Sequence, residues 1–398
     1  MLRRPVAIPD ASWLRSFRRR LPAWYRRHAR ELPWRRNRDP YAVWVSEIML
    51  QQTQVGTVAG YFDHFLAAYP TIEALAAADE DDVLRLWEGL GYYRRARQLH
   101  QAAKIIAAGY GGRFPRDPES VRRLPGIGRY TAGAILSIAF DAREPILEAN
   151  TLRLFSRLLA YDGDPRSSEG QQLLWAMGEA VLPRRGSGRL NQALMELGSE
   201  VCTARAPRCQ QCPVAALCRA NQQSRQVDIP RPKVKRAIEA VRQAAVIVRR
   251  RGRVLLLRWP EGGRFGRLWD FPRFPLDSAC PAEVRRALAE NVLALTGVVI
   301  APGRQVKTLT HGVTRFRITL ECYEAEFLSN GKRAATMLEI RWLRPKELEK
   351  CPLSSTGRKL ARLLQVREVE TSVPRRLDTK VPSPGGASFH RRVSRTRP

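Results

Sequence analysis

No run in this 398-residue chain approaches the ~18 consecutive apolar residues of a membrane span. No stretch has the hydrophobic core of a secretory signal. Acids are scarce: 38 Asp and Glu stand against 69 Lys and Arg, a formal net charge of +31. That excess is far beyond what solubility needs. With arginine outweighing lysine, it fits a polyphosphate partner such as nucleic acid. Cysteine is also too sparse for a disulfide framework. Of seven, four crowd into residues 202–218, whereas Cys280, Cys322 and Cys351 are scattered. The chain therefore reads as the product of a reducing compartment, the bacterial cytoplasm, with no membrane partner. There is no internal repeat.

What is present suffices for two to three domains, with 44% hydrophobic residues to build their cores. Before Glu31 only Asp10 is acidic, a bias shared with transit peptides. However, Trp13, Leu14, Phe17, Leu21, Trp24 and Tyr25 recur near a helical period, so residues 1–12 read as an extension and a folded domain begins at 13. The stretch that organises the chain is Leu124–Asn150, opening with Leu-Pro-Gly-Ile-Gly. Gly126 and Gly128 permit close backbone approach, and the helix that follows turns its first N–H groups outward. That is either an anion site or a corner used only for packing.

In chain order, Asp39-Pro40 reads as N-cap and first helical residue of one long helix reaching Tyr69. Glu47 lies among its apolar residues Val43, Trp44, Ile48, Leu50 and Val55. It is either an edge residue reaching solvent, the commoner case, or a desolvated acid whose pKa is raised. Short helices over 71–78 and 82–87 precede Gly89-Leu90-Gly91-Tyr92-Tyr93 and a helix over 94–108. The glycine-flanked Leu90 reads as a protruding wedge, with Arg94, Arg95 and Arg97 on flanking phosphates, or as a loop whose tyrosine packs on the core. Helices over 151–159 and 171–180 lead to cysteines 202, 209, 212 and 218, spaced 6, 2 and 5 with no nearby histidine. Four thiolates in one compact loop suit a cubane iron–sulfur cluster better than zinc, and Arg205 and Arg208 suit phosphate.

Residues 223–240 lose apolar periodicity and read as a linker. A hairpin over 244–258, a helix over 283–295 and alternating strands at 316–322 and 338–342 then make a small α/β domain, 241–366. The remainder, 367–398, reads as a basic disordered tail.

Together these pieces resemble the helix-hairpin-helix, iron–sulfur DNA glycosylases, specifically the MutY type. The carriers are Leu32-Pro-Trp-Arg35, Val45-Ser-Glu-Ile-Met-Leu-Gln-Gln-Thr-Gln54, Gly89–Tyr93, Leu124–Gly133 and the four cysteines, collinear over about residues 13–222. The C-terminal domain resembles a Nudix-like domain more loosely. It lacks the glutamate-rich metal box, its helix reading EVRRALAENVLALTG, so pyrophosphatase activity is not expected. The resemblance implies a multidomain fold: an all-α glycosylase domain (a six-helix barrel with a cluster domain), then an α/β Nudix-like domain that reads the lesion. It implies one 4Fe-4S cluster held by Cys202, Cys209, Cys212 and Cys218. It implies a monomer that acts on double-stranded DNA, flips out adenine mispaired with 8-oxoguanine or guanine, and cleaves its glycosidic bond.

By the same resemblance, Glu47 protonates N7 of adenine, Arg35 belongs to the base pocket, Gln52 wedges beside the lesion and Tyr92 intercalates near the oxidised guanine. Leu90, Gly126 and Gly128 meet DNA, and Asn150 belongs to the catalytic set. Endonuclease III-like relatives place a lysine where this chain has Tyr130, so a monofunctional enzyme leaving an abasic site is expected. Gln192 stands where many relatives have an acid. Two departures matter. The family's Asp-Gly-Asn is Glu148-Ala149-Asn150 here, with glutamate in place of the residue that stabilises the oxocarbenium sugar. The Phe-Ser-His loop that reads oxidised guanine is Val313-Thr314-Arg315, leaving Thr314 to hydrogen-bond the lesion. The alternatives are an endonuclease III-like glycosylase for another base and a catalytically impaired DNA-binding iron–sulfur protein.

Overall fold

The computed structural model describes residues 7–231, 237–263, 265–313, 315–331 and 338–372; Thr314, part of the expected linker and the tail from 373 lie outside them. The first domain is helical: α1 (Ala11–His28), α2 (Pro40–Leu50), α3 (Val55–Ala68), α4 (Ile72–Ala77), α5 (Glu80–Leu86), α6 (Arg94–Tyr110), α7 (Pro118–Arg123), α8 (Arg129–Phe140), α9 (Ala149–Leu159), α10 (Ser168–Val181), α11 (Ser187–Glu196) and α12 (Arg219–Gln222). Capping side chains mark where several begin. Asp10, Asp39, Thr71, Asp79, Asp117 and Ser167 each accept a backbone N–H of the following turn.

α2 is the central helix. Every residue from Tyr41 to Met49 is buried, as expected of a helix apolar on all sides. The single long helix expected from Pro40 to Tyr69 is instead two. The chain breaks at Gln51–Gln54, and Gln52 takes φ 56°, a left-handed conformation rare for residues with a side chain. The break has a physical cause outside the segment. Arg95 donates to the carbonyls of Ile48 (2.9 Å), Met49 (2.8 Å) and Gln51, which satisfies the end of α2 and removes any need for the helix to continue.

α7 and α8 form a helical hairpin through Pro125–Gly128. Gly126 has φ +80°, and a Cβ there would sit 3.0 Å from Cβ of Gln98, so the turn demands glycine twice over. Residues 225–230 are not a free linker. Ile229 is buried and its carbonyl accepts Nε of Arg157 at 2.8 Å.

The second domain is one mixed sheet of β1 (Glu239–Arg250), β2 (Arg253–Arg258), β3 (Trp269–Asp270), β4 (Arg273–Pro275), β5 (Val298–Val313), β6 (Phe316–Asn330) and β7 (Glu339–Leu343), with α13 (Pro281–Thr296) and α14 (Ser355–Ser372). The main order is β3-β2-β1-β6-β5; β1 and β6 run parallel and the other pairs antiparallel. The β1–β2 hairpin turns through Arg251 and Gly252, both at positive φ, as a two-residue turn requires. Alternation then divides the sheet. Ala245, Ile247, Leu256 and Leu320 face Leu360 and Leu364 of α14, while Ala244, Val246, Val248 and Leu255 face Val284, Leu288 and Val292 of α13. α14 continues to Ser372, past residue 366 where the domain was expected to end and the tail to begin.

Candidate active site

Between α2, α8 and the start of α9 lies a cavity of about 210 Å³ that gathers Arg35, Glu47, Tyr130, Glu148 and Asn150. Of the two readings open for Glu47, the structure takes the desolvated one: the residue is only 5% exposed. Burial pushes its carboxyl up to about 7. The phenolic O–H of Tyr130 donates to Oε2 at 2.9 Å and opposes that rise, nearby Glu148 adds to it, and Arg35 opposes it. The other carboxylate oxygen has no hydrogen bond from Tyr130. Protonated, Glu47 is an acid held by one oxygen and able to donate from the other.

Glu148 is the N-cap of α9. Oε2 accepts the N–H of Asn150 at 2.7 Å and Oε1 that of Thr151 at 2.9 Å, while the Thr151 hydroxyl accepts the N–H of Glu148 at 2.8 Å. The longer glutamate thus reaches round its own backbone and uses both oxygens at the helix N-terminus, where partial positive charge favours an anion. Burial raises its pKa, and the two backbone N–H groups oppose that.

Behind Arg30 and Arg35, which line the far wall of the cavity, lies a group that the sequence did not flag. Glu196, fully buried on α11, is bound by Nε of Arg30 at 2.7 Å and Nη2 of Arg35 at 2.8 Å. Burial would raise its carboxyl, but these arginines outweigh burial and hold it below the ordinary value. Arg35 therefore reaches the pocket already paired. Gln192 lines the same wall and accepts the Tyr25 hydroxyl at 2.8 Å. The signal available was an acid one helical turn beyond Ala193, in a helix whose Leu190, Ala193 and Leu194 are buried.

The expected DNA-contacting residues do not line this cavity. Gln52 is exposed at the left-handed tip of the α2–α3 loop, and Tyr92, 49% exposed, lies on the loop before α6. Leu90 is not the protruding tip expected: it is 5% exposed and packs in the helical core, leaving Tyr92 as the projecting side chain. Arg95 is likewise not a phosphate ligand. Its guanidinium is buried between the two loops, where Nη2 donates to Thr53 Oγ1 (3.0 Å), Leu90 O (3.0 Å) and Gly91 O (3.2 Å). Arg97 donates to the carbonyl of Gly266 in the second domain rather than facing solvent. Gly126 and Gly128 stand apart at the helical hairpin, Gly128 preceding the first turn of α8 with no side-chain cap.

Cys202, Cys209, Cys212 and Cys218 surround one small apolar-lined cavity. Among the described residues no three His, Cys, Asp or Glu side chains are grouped as for a single metal ion. Burial, with the neighbouring thiolates, pushes Cys212 up to about 12 and Cys218 to about 11. Bare thiolates so placed repel one another; a cationic iron core supplies the missing charge, so the donor set fits an iron–sulfur cluster. Two arginines one turn apart on α9 tie this loop to the cavity. Arg153 donates to Cys202 O (2.7 Å), Gly198 O (2.6 Å) and Asn150 Oδ1 (2.9 Å), and Arg157 to Thr203 O (2.7 Å) and Cys202 Sγ (3.2 Å). Gly198 is needed here, since a Cβ would lie 2.8 Å from Cβ of Asn150.

A buried acid and a second carboxylate in one cavity, a helical hairpin and a four-cysteine loop define a helix-hairpin-helix DNA glycosylase. Three family models agree. The HhH-GPD superfamily of base excision DNA repair proteins matches residues 45–179, the iron–sulfur binding domain of endonuclease III matches 202–218, and the NUDIX domain matches 243–363. The chain is 32% identical to the adenine DNA glycosylase of Rattus norvegicus, across 92% of this chain and 82% of that protein. It is 31% identical to that of Homo sapiens, across 91% and 76%. A solved thermostable thymine-DNA glycosylase, 28% identical, covers 54% of this chain and all of its own at TM-score 0.50. The chain belongs to the adenine DNA glycosylase family, of the MutY type, with a C-terminal Nudix domain.

Proposed function

We propose that this adenine DNA glycosylase removes adenine mispaired with 8-oxoguanine or guanine in duplex DNA and, as a monofunctional enzyme, leaves an abasic site. The observation that carries the proposal is the buried Glu47, raised to about 7 and held by Tyr130 in a cavity shared with Glu148 and Asn150. With adenine flipped into that cavity, Glu47 gives its proton to N7. The glycosidic electron pair leaves with the base, and the sugar becomes an oxocarbenium ion. Glu148 faces it as counter-charge: with both oxygens already bound to backbone N–H groups it is oriented to stabilise rather than to attack. Water then completes an abasic site. Tyr130 offers no amine for a Schiff base, which supports hydrolysis without strand cleavage.

Arg35 and Gln192 would bound the base, and Gln52 and Tyr92, on loops joined by Arg95, would fill the duplex beside it. Gly126 and Gly128 would bring backbone N–H groups to phosphate. Cys202, Cys209, Cys212 and Cys218 would hold one 4Fe-4S cluster, with Arg205 and Arg208 toward phosphate. We further place the enzyme as a monomer in a reducing, cytoplasmic compartment; no helix among the described residues is long and apolar enough to cross a membrane. The test is single-turnover base release from duplexes carrying adenine opposite 8-oxoguanine, adenine opposite guanine, and thymine opposite guanine. Adenine release, fastest opposite 8-oxoguanine and without strand nicking, is expected. Thymine release, or nicking at the rate of base release, would overturn it.

A further inference from the structure

The most acidic stretch of this cationic chain is Ala78–Glu88, ADEDDVLRLWE. Its acids meet arginines of the second domain: Glu80 with Arg267 at 2.6 Å, Asp81 with Arg258 at 2.6 Å, and Glu88 with Arg358. The last pair is two-pronged. Nε of Arg358 donates to Oε1 of Glu88 at 2.7 Å and Nη2 to Oε2 at 2.8 Å, both side chains being 14% exposed. The same guanidinium donates to Leu348 O and Cys351 O, at 2.8 and 2.7 Å, so its position is set from both sides. Five residues on, Tyr93 donates its hydroxyl to Leu353 O at 3.0 Å, and Arg97 donates to Gly266 O. Leu268, also of the second domain, is fully buried in the helical core.

These anchors bracket one exposed residue. Tyr92 stands between Glu88 and Tyr93, over the Arg95 guanidinium at 5.6 Å from its ring. It faces an interdomain cleft of about 960 Å³ whose other wall includes Val313 and Ser355. A loop with glycines at 89 and 91, both at positive φ, has little stiffness of its own. Its conformation is imposed from outside, by Arg95 on one side and the second domain on the other.

We propose that the C-terminal domain sets the position of Tyr92 through the Glu88–Arg358 pair and the Tyr93–Leu353 bond. Glu88 and Arg358 are then positioning residues for discrimination between 8-oxoguanine and guanine opposite the target adenine. The proposal rests on the reading of Tyr92 as the residue inserted at the lesion. Because Glu88 and Arg358 do not line the cavity that holds Glu47 and Glu148, their loss changes discrimination and leaves the acid chemistry in place.

The full cluster-bearing chain is assayed for single-turnover adenine release opposite 8-oxoguanine and opposite guanine, as wild type, Glu88→Gln, Arg358→Met and Arg358→Lys, beside Tyr92→Ala. Iron content and thermal melting establish that each variant is folded. Arg358→Lys, which keeps the charge and loses the fork, is the mildest change. Glu88→Gln and Arg358→Met are expected to lower release opposite 8-oxoguanine about tenfold and to hold release opposite guanine within about twofold, with Arg358→Lys between them and wild type. An unchanged ratio in the folded variants, or both rates falling together, overturns the proposal. The control separates the two layers. If Tyr92→Ala leaves the ratio unchanged, the reading of Tyr92 is itself wrong; if only Tyr92→Ala lowers it, Tyr92 stands and the interdomain anchor does not.

Discussion

Tyr130 donates its phenolic O–H to Oε2 of Glu47 across 2.9 Å, from α8 to the middle of α2. This bond lowers a pKa that burial has raised, so it keeps the acid from being held too tightly to give up its proton. Tyr130→Phe is therefore expected to raise the Glu47 pKa further. Its pH–rate profile should fall off at higher pH than wild type, with a lower plateau. A falling limb that moves to lower pH would contradict this electrostatic account.

In the proposed reaction Glu47 must be protonated to act. Base release should be maximal below about 7 and decline by about tenfold per pH unit above it, once adenine flipping is saturated. Glu47→Gln should lose roughly 10²–10⁴-fold in single-turnover rate while still binding mispaired duplex, measured by fluorescence anisotropy.

The same shift has a consequence for stability. An acid raised from 4.5 to about 7 holds in the folded state a proton that the unfolded chain releases across that window. Its contribution to stability is therefore lost progressively as pH rises from 4.5 to about 7, and above that burial of the charge costs up to roughly 3 kcal/mol. Glu47→Gln should melt higher than wild type at pH 8 and show little difference at pH 5 in thermal denaturation.

Glu148 caps α9 and, in the proposed mechanism, also supplies a catalytic charge; the two can be separated. Glu148→Asp, which can still cap α9, should keep stability within about 1 kcal/mol and retain base release. Glu148→Ala should lose about 1 kcal/mol of stability and, beyond that, roughly 10²–10³-fold in rate. Chemical denaturation and single-turnover kinetics on the same preparations distinguish these effects.

Cys209→Ser should lose iron and visible absorbance and weaken DNA binding. Base release should fall as well, because Arg153 joins the carbonyl of Cys202 to Asn150. Wild-type affinity should drop steeply with added salt, as counterion release demands of so cationic a chain. A flat salt dependence would show that the charge serves another purpose.

Much of the fold could be read from local signals. Asp39-Pro40 announced the start of α2, and the hairpin over 244–258 and the helix over 283–295 are found as β1–β2 and α13. The candidate acid was visible as a glutamate among apolar residues, yet its surroundings were not. Whether Glu47 met solvent depended on α8, more than eighty residues away. The errors have one cause. Residues 40–69 keep a helical pattern throughout, and the break at Gln51–Gln54 comes from Arg95, which takes the helix carbonyls. Leu90 and Arg95 look like a wedge and a phosphate ligand in isolation, but the surrounding helices bury both.

The sequence by itself determined the parts: the capped helices, the hairpin glycines, the alternating strands, the four thiols and the excess of positive charge. These depend on the next few residues and on composition. Only the tertiary structure decided which carboxylate is desolvated, which arginines are spent on carbonyls and buried acids, and that Ala78–Glu88 docks a second domain. Burial and pairing arise between segments distant in the chain, and no local pattern encodes how deep a side chain will lie or which charge it will meet.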